Sequence, residues 1–172
     1  MLKPRDVYEL TTWQWLPRRQ DEVFAFFADA FNLERITPPF LRFRVLTPAP
    51  IPMARGTLID YRLRLHGVPI RWRTEIAAWE PPVRFVDAQR RGPYAEWVHT
   101  HTFELQDGGT MVRDAVRYRL RGPDVATRLI EGLLVGPDTT RIFEYRHAAM
   151  DEALGVSGQG RRGPVSIVRS RL

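Results

Sequence analysis

The chain has 172 residues, 44% of them hydrophobic, which is enough for one domain with a real core and short of the usual size for two. It contains no cysteine, so disulfide frameworks, thiolate metal sites and a cysteine nucleophile are excluded. The net charge of +6 comes almost entirely from arginine, Lys3 being the only lysine; Arg161, Arg162, Arg169 and Arg171 lie in the C-terminal tail and leave about +2 for the body, so the charge does not by itself imply nucleic-acid binding.

The first extended segment is Val7 to Trp15, where Tyr8, Leu10, Thr12 and Gln14 alternate with the odd positions and predict a strand, with Trp13 and Trp15 expected in the core. Leu16-Pro17 ends it. Arg19 to Phe31 follows as a short amphipathic helix, with Val23, Phe27 and Ala30 at helical spacing and Asp21 and Glu22 in the first turn. A second brief helical turn over Asn32 to Ile36 completes an elbow, after which Pro38-Pro39 forces extended chain. Segment 1–15 lacks the apolar core of a signal peptide and no stretch is long enough to span a bilayer, so a soluble cytoplasmic protein is expected.

From Leu41 the pattern becomes strands broken at turn residues: 43–46, 57–66, 68–79, 83–90, 95–106 and 110–121, with breaks at His66-Gly67, Pro81-Pro82, Gly92-Pro93 and Asp107-Gly108. With the first strand this makes about seven, mostly antiparallel. Gly122-Pro123-Asp124 then opens a helical region, which Gly136-Pro137-Asp138 is expected to interrupt. The last helical run carries Phe143, His147, Met150 and Leu154 on one stripe and stops at Gly155. The domain is thus predicted over 1–154. The remainder, 155–172, is a basic tail rich in glycine, serine and arginine that is predicted to be mobile, although Pro164 to Val168 is able to order as a strand on a sheet edge.

One stretch departs from ordinary core patterning. In the strand from Val83, the positions Phe85, Asp87 and Gln89 share one face, and in the next strand Trp97, His99, His101 and Phe103 do the same. Acids, amides and imidazoles among aromatics are costly without partners, so such faces line a cavity more readily than a solid core.

A strand, a helical elbow, six more strands and a long C-terminal helix follow the order of the α+β helix-grip fold, a curved antiparallel sheet wrapped around its last helix. On these elements, and on Phe24, Phe27, Asn32-Leu33, Trp79, Gly92-Pro93, Trp97, His99, His101, Asp114, Tyr118, Phe143 and Arg146-His147, residues 5–153 resemble the SRPBCC (START-like) superfamily, specifically its small bacterial polyketide-cyclase/ligand-binding branch. The resemblance implies a cavity between sheet and helix that binds a hydrophobic or amphipathic small molecule. It also implies an alternative, a cyclase- or dehydratase-like enzyme.

Strand alternation independently points Tyr61, Trp72, Thr74, Phe85, Asp87, Gln89, Trp97, His99, His101, Asp114 and Tyr118 inward, and the last helix brings Arg146 toward the same space. Trp72 and Trp97 serve equally as pocket walls or plain core. Arg146 either anchors a ligand anion or ties the helix to the sheet, and it lies with His147 near the cavity roof. For catalysis the candidates are His99, His101, Asp87 and Asp114, because a carboxylate-oriented imidazole moves protons near neutral pH; the competing reading is that these groups satisfy one another and only fix the pocket's shape. The same residues have the chemistry to ligate a metal, but their spacing is not diagnostic, so neither metal nor cofactor is expected. The opposite sheet face carries nine arginines, Arg62 and Arg117 among them, interleaved with Asp60, Glu75, Glu96 and Glu104. It reads as a solvated face with cross-strand charge pairs and not as a surface for specific nucleic-acid binding; a homodimer is left open.

Overall fold

A computed structural model describes residues 5–171; Met1 to Pro4 of the predicted domain and Leu172 of the predicted tail lie outside that span. Strand β1 (Asp6–Leu16) leads through α1 (Gln20–Ala28) and α2 (Asn32–Arg35) into β2 (Arg44–Val45), β3 (Leu58–Leu65), β4 (Val68–Glu80), β5 (Arg84–Arg91), β6 (Glu96–Gln106) and β7 (Gly109–Arg119). Helices α3 (Asp124–Ile130) and α4 (Gly136–Ala153) follow, and β8 (Arg161–Arg162) and β9 (Ser166–Arg171) end the chain. Among the described residues the sheet has nine strands, the expected seven and two more from the tail, ordered β2-β3-β4-β5-β6-β7-β1-β8 with β9 also on β1, and every pairing is antiparallel.

The turns determine this meander. His66-Gly67 and Asp107-Gly108 each place two consecutive residues at positive φ between directly paired strand ends, Leu65 with Val68 and Gln106 with Gly109. That backbone twist matches the twist of the flanking strands. Register shifts in β4 between Arg73 and Thr74 and between Ile76 and Ala78 bend the sheet; after the second, the inward parity passes from Thr74 and Ile76 to Trp79, which packs on Phe24.

The helical C-terminal region is continuous where an interruption is expected. Between α3 and α4 the chain makes a single π turn, Glu131–Val135, closed by the Gly136 amide donating to the Glu131 carbonyl. The wider turn absorbs Pro137, which has no N–H to continue an α-helical ladder and takes the first turn of α4, where none is needed. The helix packs by Phe143 against Tyr8, Leu10, Val116 and Tyr118, and by Met150 against Leu16, Phe103 and Val112. Pro38-Pro39 likewise departs from expectation: only Pro38 is extended, and Pro39–Leu41 forms a 3-10 turn with Pro39 at its start.

Of the two readings of the tail, mobile or ordered on a sheet edge, the described residues take the second. Residues 166–171 pair with β1 from Asp6↔Arg171 to Thr11↔Ser166, and β8 caps the same edge opposite Gln14 and Trp15. The entropy argument for mobility is outweighed because β1 offers an otherwise bare ladder, Val165 and Ile167 pack against the Tyr8 and Leu10 cluster, and Arg171 approaches the buried Asp6 at 3.4 Å beside Arg128. The segment also covers Trp13 and Trp15, which lie on the outer face and not in the core: Gly163 sits against the Trp13 indole so closely that no Cβ fits, and the Arg161 guanidinium stacks 4.4 Å over Trp15. Truncation after Gly163 is expected to speed amide exchange along Asp6–Thr11 while leaving the β6–β7 amides protected, which peptide-resolved hydrogen exchange would read.

On the outer sheet face the arginines pair across strands, Arg73 with Asp60 at 2.8 Å and Arg90 with Glu75 at 2.7 Å. Arg117 pairs with Glu96 in the same way.

Candidate functional site

Four neighbouring side chains are set by the registers of β5, β6 and β7. Asp87 lies opposite His99, and His101 opposite Asp114, all on the inward face. Each imidazole hydrogen-bonds to the acid diagonal to it: His99 Nε2 donates to Asp114 Oδ1 at 2.9 Å, and His101 Nε2 donates to Asp87 Oδ2 at 3.1 Å. Each also lies near the acid directly opposite. His99 Nδ1 is 3.6 Å from Asp87 Oδ2, and His101 Nδ1 is 2.8 Å from Asp114 Oδ1 but is not aligned to bond with it. The two imidazoles overlap at 3.7 Å between centroids, Phe85 stacks on His101 at 4.2 Å, and Phe143 meets His99 edge-on.

Burial and charge oppose one another here. Burial disfavours the His101 imidazolium, yet contact with Asp114 and Asp87 outweighs it and holds His101 above the usual histidine range. Burial, reinforced by the His101 charge, pushes His99 below that range. The carboxyls would be raised by burial, but the two imidazoles hold Asp87 below and Asp114 well below the ordinary carboxylate value. Beside two carboxylates, the arrangement thus favours the charged form at His101 and the neutral form at His99. His101 therefore contributes stability that is complete below its unfolded value of about 6.5 and is lost as pH rises through its raised folded midpoint. His99 contributes above about 6.5 and loses that contribution as pH falls through its lowered midpoint. The two acids lose theirs only as pH falls below about 3.8. Long-range proton–nitrogen correlation spectra are expected to show two imidazole midpoints on opposite sides of 6.5. Coincident midpoints at the free-histidine value would refute this assignment.

The polar group opens onto a cavity of about 190 Å³ between the sheet, the elbow and α4. Of the residues expected to line it, Tyr61, Trp72, Thr74, Phe85, Asp87, Trp97, His99, His101 and Arg146 do so. Three do not. Asp114 is buried behind the imidazoles, so it orients them without reaching the cavity. Tyr118 lies beneath Tyr8 and donates its hydroxyl to Glu131 at 2.8 Å. Gln89 braces the β5–β6 turn, bonding to both the carbonyl and the amide of Tyr94. His147 also faces away from the roof, its ring 3.3 Å from Thr12 Oγ1 on the β1 side of α4.

The sequence reading missed the wall made by the elbow and the β2–β3 connection, where Phe26, Phe43 and Met53 contribute. Phe26 and Phe27 are consecutive on α1, so helical spacing pointed to Phe27 alone, and no periodicity marks the irregular chain around Met53. Tyr94, just after Gly92-Pro93, was likewise hidden in a turn; it meets Trp72 at 5.6 Å and Trp97 at 4.7 Å to close one end of the chamber.

Asp87, His99 and His101 each offer one ligand atom, all within 4.8 Å of one another. These are the donors that would hold a divalent ion, with Asp114 holding the far side of His99.

No family model and no curated protein matches the chain. Solved structures do. The protein TTHA0849 from Thermus thermophilus superposes with a TM-score of 0.65 at 20% identity, covering 87% of this chain and 99% of that one. Protein Ms6760 from Mycobacterium smegmatis gives 0.63 at 18% identity over 87% and 92%, and the major latex-like protein 151 of Panax ginseng gives 0.58 at 11% over 86% and 97%. The chain has the helix-grip fold. Within this fold, the cavity lies between the curved sheet and the terminal helix, and among the described residues no helix is long and apolar enough to cross a membrane.

Proposed function

We propose that this protein binds a hydrophobic or amphipathic small molecule in the cavity between sheet and α4, to sequester or carry it within the cytoplasm. The observation that carries the reading is the chamber itself: about 190 Å³, walled by aromatic and aliphatic side chains, with Asp87, His99, His101 and Arg146 as its convergent polar groups. The resemblance to the small polyketide-cyclase/ligand-binding branch supports the same assignment. Native mass spectrometry of the freshly purified protein, before and after incubation with lipid, quinone and polyketide extracts, is expected to show a discrete added mass that is lost on denaturation. A bare mass under both conditions would overturn the proposal.

One observation favours a second reading. Asp114 and Asp87 flank His101 at the cavity wall, the arrangement of a group that transfers a proton to a bound substrate, as in a cyclase- or dehydratase-like reaction. The two readings separate at His101→Ala, which abolishes turnover in an enzyme while leaving binding largely intact; a carrier has no turnover to lose.

A further inference from the structure

We propose that the occupant of the cavity is an amphipathic monocarboxylic acid whose carboxylate is received by Arg146; the proposal rests on the cavity-binding reading above and names the ligand class it implies. Arg146 projects from α4 into the chamber, and its Nε is buried with no hydrogen-bond partner. A guanidinium carries five N–H donors in a rigid fork, and a buried N–H left without an acceptor costs the desolvation of that group. The nearby acids do not meet that need. The ion pairs of Asp87 and Asp114 run to His99 and His101, while their charges act on Arg146 only at longer range. The Phe143 ring lies 4.8 Å from the guanidinium carbon and offers it no acceptor oxygen.

The missing partner is therefore an acceptor that enters with the ligand. A carboxylate matches the fork two bonds to two. A doubly charged phosphate is disfavoured, because Asp87 and Asp114 already place two negative charges in the same neighbourhood; a carboxylate adds one negative charge there where a phosphate would add two. Beyond this end the walls turn apolar, with Phe43, Met53, Ile59 and Ile76 opposite, so the remainder of the molecule is hydrocarbon or aromatic.

The test uses matched pairs: decanoic acid against decanol, and 2-naphthoic acid against 2-naphthalenemethanol, titrated at pH 7 and followed by the fluorescence of Trp72 and Trp97, with calorimetry as the check. At least one acid is expected to bind tenfold or more tightly than its alcohol, as a charge-assisted pair in a dry site requires. Arg146→Met should bring that ratio close to one, and Arg146→Lys should restore part of it. Equal binding of acid and alcohol by the unaltered protein would overturn the inference and leave the cavity-binding reading standing, with no dependence on how the variants fold. Binding of neither member of either pair would overturn both.

Discussion

Replacing Asp114 by alanine is expected to lower the unfolding free energy by about 3–5 kcal/mol, the range for removing one partner of a buried charge pair. Asp114 is only 4% exposed, accepts a hydrogen bond from His99 Nε2 and sits 2.8 Å from the ring of His101, whose charged form it supports. Without it the His99 N–H has no acceptor and His101 keeps only Asp87, so the imidazolium is no longer supported against burial. Urea denaturation at pH 7 measures the loss, and the nitrogen spectra of the same variant should show the His101 midpoint falling from its raised position. Asparagine at this position keeps an acceptor and loses only the charge, so it should cost less than alanine. The difference between parent and Asp114→Ala should shrink in acid, since the carboxylate's contribution disappears as pH falls below about 3.8 toward its depressed folded midpoint. An alanine variant as stable as the parent would mean that the diagonal His–Asp bonds do not hold the sheet face together.

Phe103→Ala is expected to cost a similar amount, about 3–5 kcal/mol, for a different reason. Phe103 is fully buried on β6, two residues beyond His101, and its ring meets Phe24 at 5.2 Å, Phe27 at 5.1 Å and Phe85 at 6.0 Å. Removing it leaves a void under α1 and breaks three aromatic pairs. Because Phe27 and Phe85 also line the cavity, the void would join the chamber and enlarge it. The variant should therefore lose stability in denaturation while accepting bulkier probes than the parent. Since none of the hydrogen bonds of His101 involves Phe103, the His101 midpoint should stay above the ordinary histidine range. A shift there would show that ring packing, not charge, sets the state of the imidazole.

The fold was legible in the sequence wherever a local rule acts alone. Alternation identified β1 and β3 to β7 to within two residues, and the positive-φ turns at His66-Gly67 and Asp107-Gly108 placed the hairpins. The site was legible for the same reason: period two puts Asp87 beside Phe85 and His99 beside His101 on one face, whatever the rest of the chain does. What was not legible depended on partners distant in sequence. The tail has too little apolar surface to order by itself, and only the bare edge of β1 makes a strand of Ser166–Arg171. Gln89 has the right parity for the cavity, but it is bound by a turn five residues away, and Tyr118 is drawn beneath Tyr8 toward Glu131. Pro137 was read by its usual effect on a helix, and a widened turn evades that effect.

That turn has a consequence for how the chain tolerates insertions and deletions. A π turn is an α-turn holding one surplus residue, and each residue rotates the rest of the helix by about 100° around its axis. In the π turn, however, the five residues Glu131–Val135 cover about the angle that four cover in an α-helix, so the surplus residue is taken up as a bulge and the stripe of α4 with Phe143 and Arg146 keeps its bearing on the sheet. A residue added or removed within α4 before Arg146 has no such bulge to take it up, and it would turn the guanidinium out of the chamber. The direction of the cavity's polar end is thus protected against a change of length at one turn and exposed to it along the rest of the helix.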